Sequence, residues 1–91
     1  MLDIIFECSG SPQAMLDGMT KINILGQYIL AGAVFSIKEN CLDPEQIIRK
    51  MLTIKGVHNY KPEHLAKALK FLEKTQEKFP YQNIVAQVFP L

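Results

Sequence analysis

Apolar side chains crowd the first positions of the chain, where Leu2, Ile4, Ile5, Phe6 and Cys8 are interrupted only by Asp3 and Glu7 and closed by Ser9-Gly10. β-Favouring residues at the centre of a short run bounded by turn formers predict a buried strand over residues 2–8. Ser11-Pro12 then has the form of a helix start, a hydroxyl N-cap followed by a proline whose missing N–H is no loss at the first helical position. Met15, Met19 and Ile22 recur at spacings of four and three with Leu16 beside them, one apolar face of a helix that Gly18 weakens by about 1 kcal/mol relative to alanine. Leu25-Gly26-Gln27 breaks that spacing, and Tyr28-Ile29-Leu30-Ala31 is a second apolar run, ended by Gly32. Two apolar strands joined by a crossover about one helix long are expected to pair in parallel with a right-handed connection, a βαβ unit.

Beyond Gly32 the pattern loosens. Phe35 and Ile37 alternate with Ser36 and Lys38, which predicts an exposed or edge strand between Ala33 and Leu42. Asp43-Pro44 with Gln46 three residues after the aspartate reads as a capping box, and Ile47, Ile48, Met51 and Leu52 are the expected buried face of a short helix. Thr53-Ile54-Lys55-Gly56-Val57 reads as a third strand, its glycine a mark of close approach by another backbone or a ligand. Pro62 opens the longest helix, with Leu65, Leu69 and Leu72 as its expected packed stripe, Glu63 four residues before Lys67, and Phe79-Pro80 as its stop. Residues 83–88 have strand character.

Composition narrows the class. The 91 residues make room for one small domain, and 48% apolar against 21% charged residues is a globular balance. Ten Lys and Arg against nine Asp and Glu give a net charge of +1, which supplies no field for gripping nucleic acid or an anionic membrane, so neither is an expected partner. No apolar run approaches the ~18 residues of a membrane span, and Met1 is followed by Asp3 and Glu7 rather than a basic leader, so a soluble, cytoplasmic protein is expected. Cys8 and Cys41 could form one bridge at most. Buried thiols in a reducing setting are the plainer reading.

In a parallel sheet, ligands bind beyond the carboxyl ends of the strands. Three segments follow predicted strands there: Cys8-Ser9-Gly10, Gly32-Ala33-Val34 and Val57-His58-Asn59. Small side chains at the first two would let a flat ligand lie against backbone, so these nine residues are the candidate binding edge, with no catalytic side chain among them. Taken singly, the glycines are also ordinary strand-to-helix turns. His58 and His64 lie six apart with no H-E-x-x-H arrangement and no carboxylate at a ligand spacing, so no metal site is expected. G-x-S-x-G, phosphate-cradling lysine loops and G-x-G-x-x-G are all missing. The stripe of Lys70, Lys74 and Lys78 reads as a solvated helix face.

Four stretches together resemble the zinc-type, medium-chain alcohol dehydrogenases: Ile4-Ile5-Phe6-Glu7-Cys8-Ser9-Gly10-Ser11-Pro12, Gly26-Gln27-Tyr28-Ile29-Leu30-Ala31-Gly32, Leu52-Thr53-Ile54-Lys55-Gly56-Val57-His58-Asn59-Tyr60 and Phe89-Pro90-Leu91. The resemblance implies an α/β fold, a partial Rossmann-like three-layer α/β/α arrangement with a short, mostly parallel sheet. It makes residues 1–91 a single partial nucleotide-binding domain without the first βαβ unit and without the catalytic domain. It places Cys8-Ser9-Gly10 by the adenosine end of an NAD(P) cofactor, and Gly32-Ala33-Val34 and Val57-His58-Asn59 by the nicotinamide. Hydride transfer between an alcohol and the nicotinamide ring, with zinc polarising the oxygen, belongs to the parent enzyme. The zinc ligands, the proton relay and the glycine fingerprint have no match in this chain. It is therefore expected to bind the cofactor weakly or not at all and to be inactive alone.

The resemblance also implies a homo-oligomer, joined through the stretch bounded by Phe35 and Leu42, which in that family pairs with its two-fold mate. An apolar first strand with one side unpaired offers another route, since such edges recruit other chains. A reading of a different class is a free-standing α/β interaction module that binds a partner through its open sheet edge.

Overall fold

The computed structural model describes residues 1–38 and 40–90, and two compact units divide them: Met1–His58, and the residues from Asn59 on. Glu39, within the expected edge strand, and Leu91, the last of the landmark residues, lie outside the described residues.

The first unit runs β1 (Leu2–Glu7), α1 (Pro12–Lys21), β2 (Ile22–Leu30), α2 (Pro44–Arg49) and β3 (Thr53–Gly56). All three strands are parallel and lie in the order β1-β2-β3. The fold is α/β, a partial Rossmann-like unit with a short parallel sheet. Ser11 caps α1, its hydroxyl accepting from the Ala14 amide at 3.4 Å with Pro12 beginning the helix, as the sequence predicts. Asp43 caps α2 by accepting from the amides of Glu45 (2.9 Å) and Gln46 (3.4 Å).

Register explains the core. Ile5, Tyr28 and Ile54 stand opposite one another across the three strands, so their side chains share one sheet face. Successive right-handed crossovers put α1 and α2 over that same face. Met19, Ile22 and Tyr28 form the buried centre, with Ile5, Leu30, Leu42, Ile47, Leu52 and Ile54 packed around it. Tyr28 is fully buried, and its hydroxyl donates to the Met15 carbonyl at 2.9 Å. Gly18 makes this possible: a Cβ there would collide with the Tyr28 hydroxyl and ring. Lys50 reaches from beyond α2 to the end of α1, where Nζ donates to the carbonyls of Met19 (2.9 Å) and Ile22 (3.1 Å).

Several expectations change. Leu25-Gly26-Gln27 does not separate the helix from the second strand, and Ile22 is not on the helix; α1 ends at Lys21, and β2 already starts at Ile22 and absorbs the break as a bulge, since Leu2 pairs with Ile22 but Ile4 with Gln27. Leu25 turns left-handed there (φ 64°), and its amide donates to the Lys50 carbonyl at 2.7 Å. The first strand is not buried: Leu2, Ile4 and Phe6 are exposed because β1 is a sheet edge and both helices of the unit cover one face. Ile48 and Met51 are exposed as well, since a helix of six residues turns only Ile47 and the following Leu52 inward. Residues 33–38 and 40–42 form no strand, because a strand needs a partner ladder and the unit's sheet offers none there. Cys8, expected buried, is exposed just past the end of β1, whereas Cys41 is buried.

The second unit contains α3 (Pro62–Thr75) and a 3-10 turn at Tyr81–Ile84. His64 closes the start of α3, its Nδ1 accepting from the Lys61 amide at 3.2 Å. The expected packed stripe of Leu65, Leu69 and Leu72 is 43–58% exposed, there being no second long element within this unit to cover it. Residues 83–88 are not a strand. The Phe79 and Tyr81 rings meet edge to face and Tyr81 shares a hydrogen bond with Thr75, which curls the chain into the 3-10 turn.

Candidate functional site

Three parallel strands end at Glu7, Leu30 and Gly56, so the segments that follow them leave the sheet at one end. The pairing continues past the last strand residues, with the Val57 amide donating to the Leu30 carbonyl at 2.9 Å and the amides of Ala31 (2.9 Å) and Gly32 (3.0 Å) both donating to the Glu7 carbonyl. These bonds bring Cys8, Ser9, Gly10, Gly32, Ala33, Val34, Val57 and His58 to the same edge. Asn59, the ninth candidate, opens the second unit in the left-handed region (φ 57°).

An open groove of about 710 Å³ lies at this edge. Residues 30, 31 and 33–36 form one wall, and Gly56, Val57 and His58 the other. Of the two reasons expected for Gly56, close approach of another backbone is not the one met, since nothing lies within 4 Å of where a Cβ would sit. Its missing side chain instead leaves the groove wall open.

The glycines of the other two segments touch each other. A Cβ on Gly32 would strike the backbone of Cys8, Ser9 and Gly10, and a Cβ on Gly10 would stand 2.7 Å from the Gly32 carbonyl oxygen and 3.2 Å from the Phe35 ring. Gly10 also adopts a φ of 73°, which a side chain would oppose. The first loop is thus a buttress behind the groove wall, with Phe35 joining the two.

The residue that organises this edge is one the apolar pattern hides. Glu7 sits inside an apolar run and reads there as an interruption, yet among the described residues it is the buried charged one, 4% exposed. Its carboxylate accepts from the Ser9 hydroxyl, from the amides of Ser9 (2.8 Å) and Gly10 (2.9 Å), and again from Gly10 at 3.1 Å. The Ser9 hydroxyl, and behind it the two amides, hold the Glu7 carboxyl below its ordinary value of 4.5, outweighing the cost of burial. On the neighbouring strand, burial pushes the Tyr28 phenol above its usual 10.0, helped by the nearby charges of Glu7 and Asp17. A carboxylate followed two residues later by serine and three later by glycine, at the end of a strand, is the local signal that marks it.

A metal finds no donor set here: among the described residues no group of three or more His, Cys, Asp or Glu side chains comes together. No helix of the described residues is long and apolar enough to cross a membrane.

No profile of a known protein family matches the chain. The 5-exo-hydroxycamphor dehydrogenase of Pseudomonas putida is 23% identical to it over 88 residues, which is 97% of this chain. This is weak homology to an alcohol dehydrogenase. The chain spans 24% of the length of that curated relative. Among solved structures, a protein of Sinorhizobium meliloti 1021 assigned as an alcohol dehydrogenase superimposes with a TM-score of 0.63 at 20% identity, over 82% of this chain and 20% of the other. The likeness of fold thus falls on the same kind of protein as the likeness of sequence.

Proposed function

We propose that this chain builds one side of the nicotinamide-cofactor cleft of an oxidoreductase, one that passes a hydride between an alcohol and NAD(P) in the manner of the zinc-type, medium-chain alcohol dehydrogenases. The observation that carries the reading is the meeting of three strand tips beside one open groove, in a chain whose sequence and fold both resemble alcohol dehydrogenases. In this reading residues 1–91 are one partial nucleotide-binding domain. When bound, the cofactor supplies the ring carbon that gives or takes the hydride.

The chain's own residues bind and orient. Backbone at Ala33 and Val34 and at Val57 and His58 lines the groove, offering C=O groups to a flat carboxamide-bearing ring, while Gly10 and Gly32 keep the wall behind it thin. With no phosphate cradle in the sequence, the chain alone holds the cofactor weakly. A zinc ion finds no donor set among the described residues.

The test is a titration of the full chain with NAD+ and NADP+, followed by amide NMR. Either no shifts, or shifts confined to residues 8–10, 31–36 and 56–58 that saturate only in the millimolar range, with no reduction of the cofactor on adding alcohols, are the expected result. Shifts elsewhere or micromolar binding would overturn the reading.

Assembly is part of the same proposal. The chain self-associates through the open edge of β1 or through the segment bounded by Phe35 and Leu42; β1 is a sheet edge with Leu2, Ile4 and Phe6 exposed, and Phe35 is 62% exposed.

A further inference from the structure

Two loops meet at one residue. The side chain of Glu7 is bonded to the loop that follows β1, through the amides of Ser9 and Gly10 and the Ser9 hydroxyl. Its backbone carbonyl is bonded to the loop that follows β2, through the amides of Ala31 (2.9 Å) and Gly32 (3.0 Å). The carboxylate cannot move without breaking bonds in the first loop, and the first loop lies so close to Gly32 that there is no room for even a methyl group there.

A run of backbone N–H groups turned toward one point is an anion site. Here the point is already taken. Displacing the Glu7 carboxylate by an incoming phosphate would strand a buried charge without partners, and leaving both in place would set two anions against each other. Carbonyl edges and aromatic rings meet neither penalty.

We propose that Glu7 is the positioning residue of the groove, locking the loops after β1 and β2 together and, by occupying the amides of Ser9 and Gly10, reserving that loop for an uncharged part of the ligand while closing it to phosphate. The ligand assignment rests on the cofactor-cleft reading; the locking of the two loops does not. From β2 the Tyr28 phenol faces the same carboxylate through space and, its titration pushed above the usual 10.0, stays protonated throughout the acidic range; from α1 the Asp17 side chain acts on that phenol.

The experiment uses amide NMR and hydrogen exchange on the full chain and on Glu7→Gln. Exchange at Gly10, Ala31 and Gly32 is expected to quicken by about tenfold in the variant, while Tyr28 on the central strand and Ile54 beside it on β3 hold their rates. In the unsubstituted chain the Gly32 amide, on the far loop, follows the acid titration of Glu7; in the variant that inflection is gone. Inorganic phosphate leaves the Ser9 and Gly10 amides unmoved in the unsubstituted chain and shifts them in Glu7→Gln. Ser9→Ala, which removes one donor and leaves the carboxylate in place, gives the same exchange pattern more weakly and decides the matter where Glu7→Gln does not fold. Unchanged exchange in the second loop, or phosphate shifts at Ser9 and Gly10 in the unsubstituted chain, would overturn the proposal. Micromolar binding of NAD+, or shifts from it away from the strand tips, would overturn the cofactor reading alone, since the exchange results stand without it.

Discussion

Tyr28 and Gly18 are a matched pair, and the match sets the cost of changing either. A glycine inside a helix is ordinarily unfavourable, so Gly18→Ala would gain about 1 kcal/mol from helix propensity alone. Its Cβ would fall on the buried Tyr28 hydroxyl, which is fixed by its bond to Met15 and cannot swing aside. Overpacking of this kind costs about 1–3 kcal/mol, so urea unfolding of Gly18→Ala is expected to show a net loss. Combining it with Tyr28→Phe, which removes the obstructing oxygen, recovers part of that loss.

Glu7 gives the same scale a dependence on pH. Its folded carboxyl titrates below the ordinary 4.5, so the unfolded chain binds the proton more readily. The stabilisation is therefore complete above that ordinary value and is lost as pH falls through the lower, folded one. Stability measured from neutral pH downward is expected to fall more steeply below pH 4.5 in the unsubstituted chain than in Glu7→Gln. Parallel curves would show that the buried carboxylate carries no linkage.

Elements whose signals are local were legible in the sequence. Ser11-Pro12 and Asp43-Pro44 begin their helices where they stand, and the three segments read as strands at the start of the chain, at Tyr28 and at Thr53 become three parallel strands with crossover helices between them. What could not be read depends on partners. Ile48 and Met51 have the right spacing for a buried face, but α2 stops after six residues, so only Ile47 and Leu52 are turned inward. The alternation at Phe35 and Ile37 suits a strand, and nothing in the unit pairs with it. The candidate site was legible in its loops, since the parallel order places them, and illegible in Glu7, because hydropathy ranks a buried carboxylate as a break. Lys50 belongs to the same class: no spacing rule links it to α1, yet its ammonium takes two carbonyls at the end of that helix. Lys50→Met keeps the stem and removes both bonds, and is expected to cost about 1–3 kcal/mol in chemical denaturation.

At the scale of the whole molecule the open question is what covers β1. Ile4 and Phe6 are 52% and 68% exposed on a strand that pairs on one side with β2, and apolar edges with unpaired N–H and C=O groups template further strands. Lysine at such positions is how natural sheets blunt their edges, and because neither side chain is buried, the substitutions leave fold stability nearly unchanged, within about 0.5 kcal/mol each. Sedimentation velocity across a concentration series is expected to show the unsubstituted chain associating and the Ile4→Lys, Phe6→Lys double variant staying monomeric. Ile37→Lys separates the two routes: if it alone abolishes association, the contact runs through the segment bounded by Phe35 and Leu42 and the β1 edge is left free. An unsubstituted chain that stays monomeric at the highest concentration removes both routes, and with them the view that the exposed apolar rows of this sheet are there to be covered by a second copy.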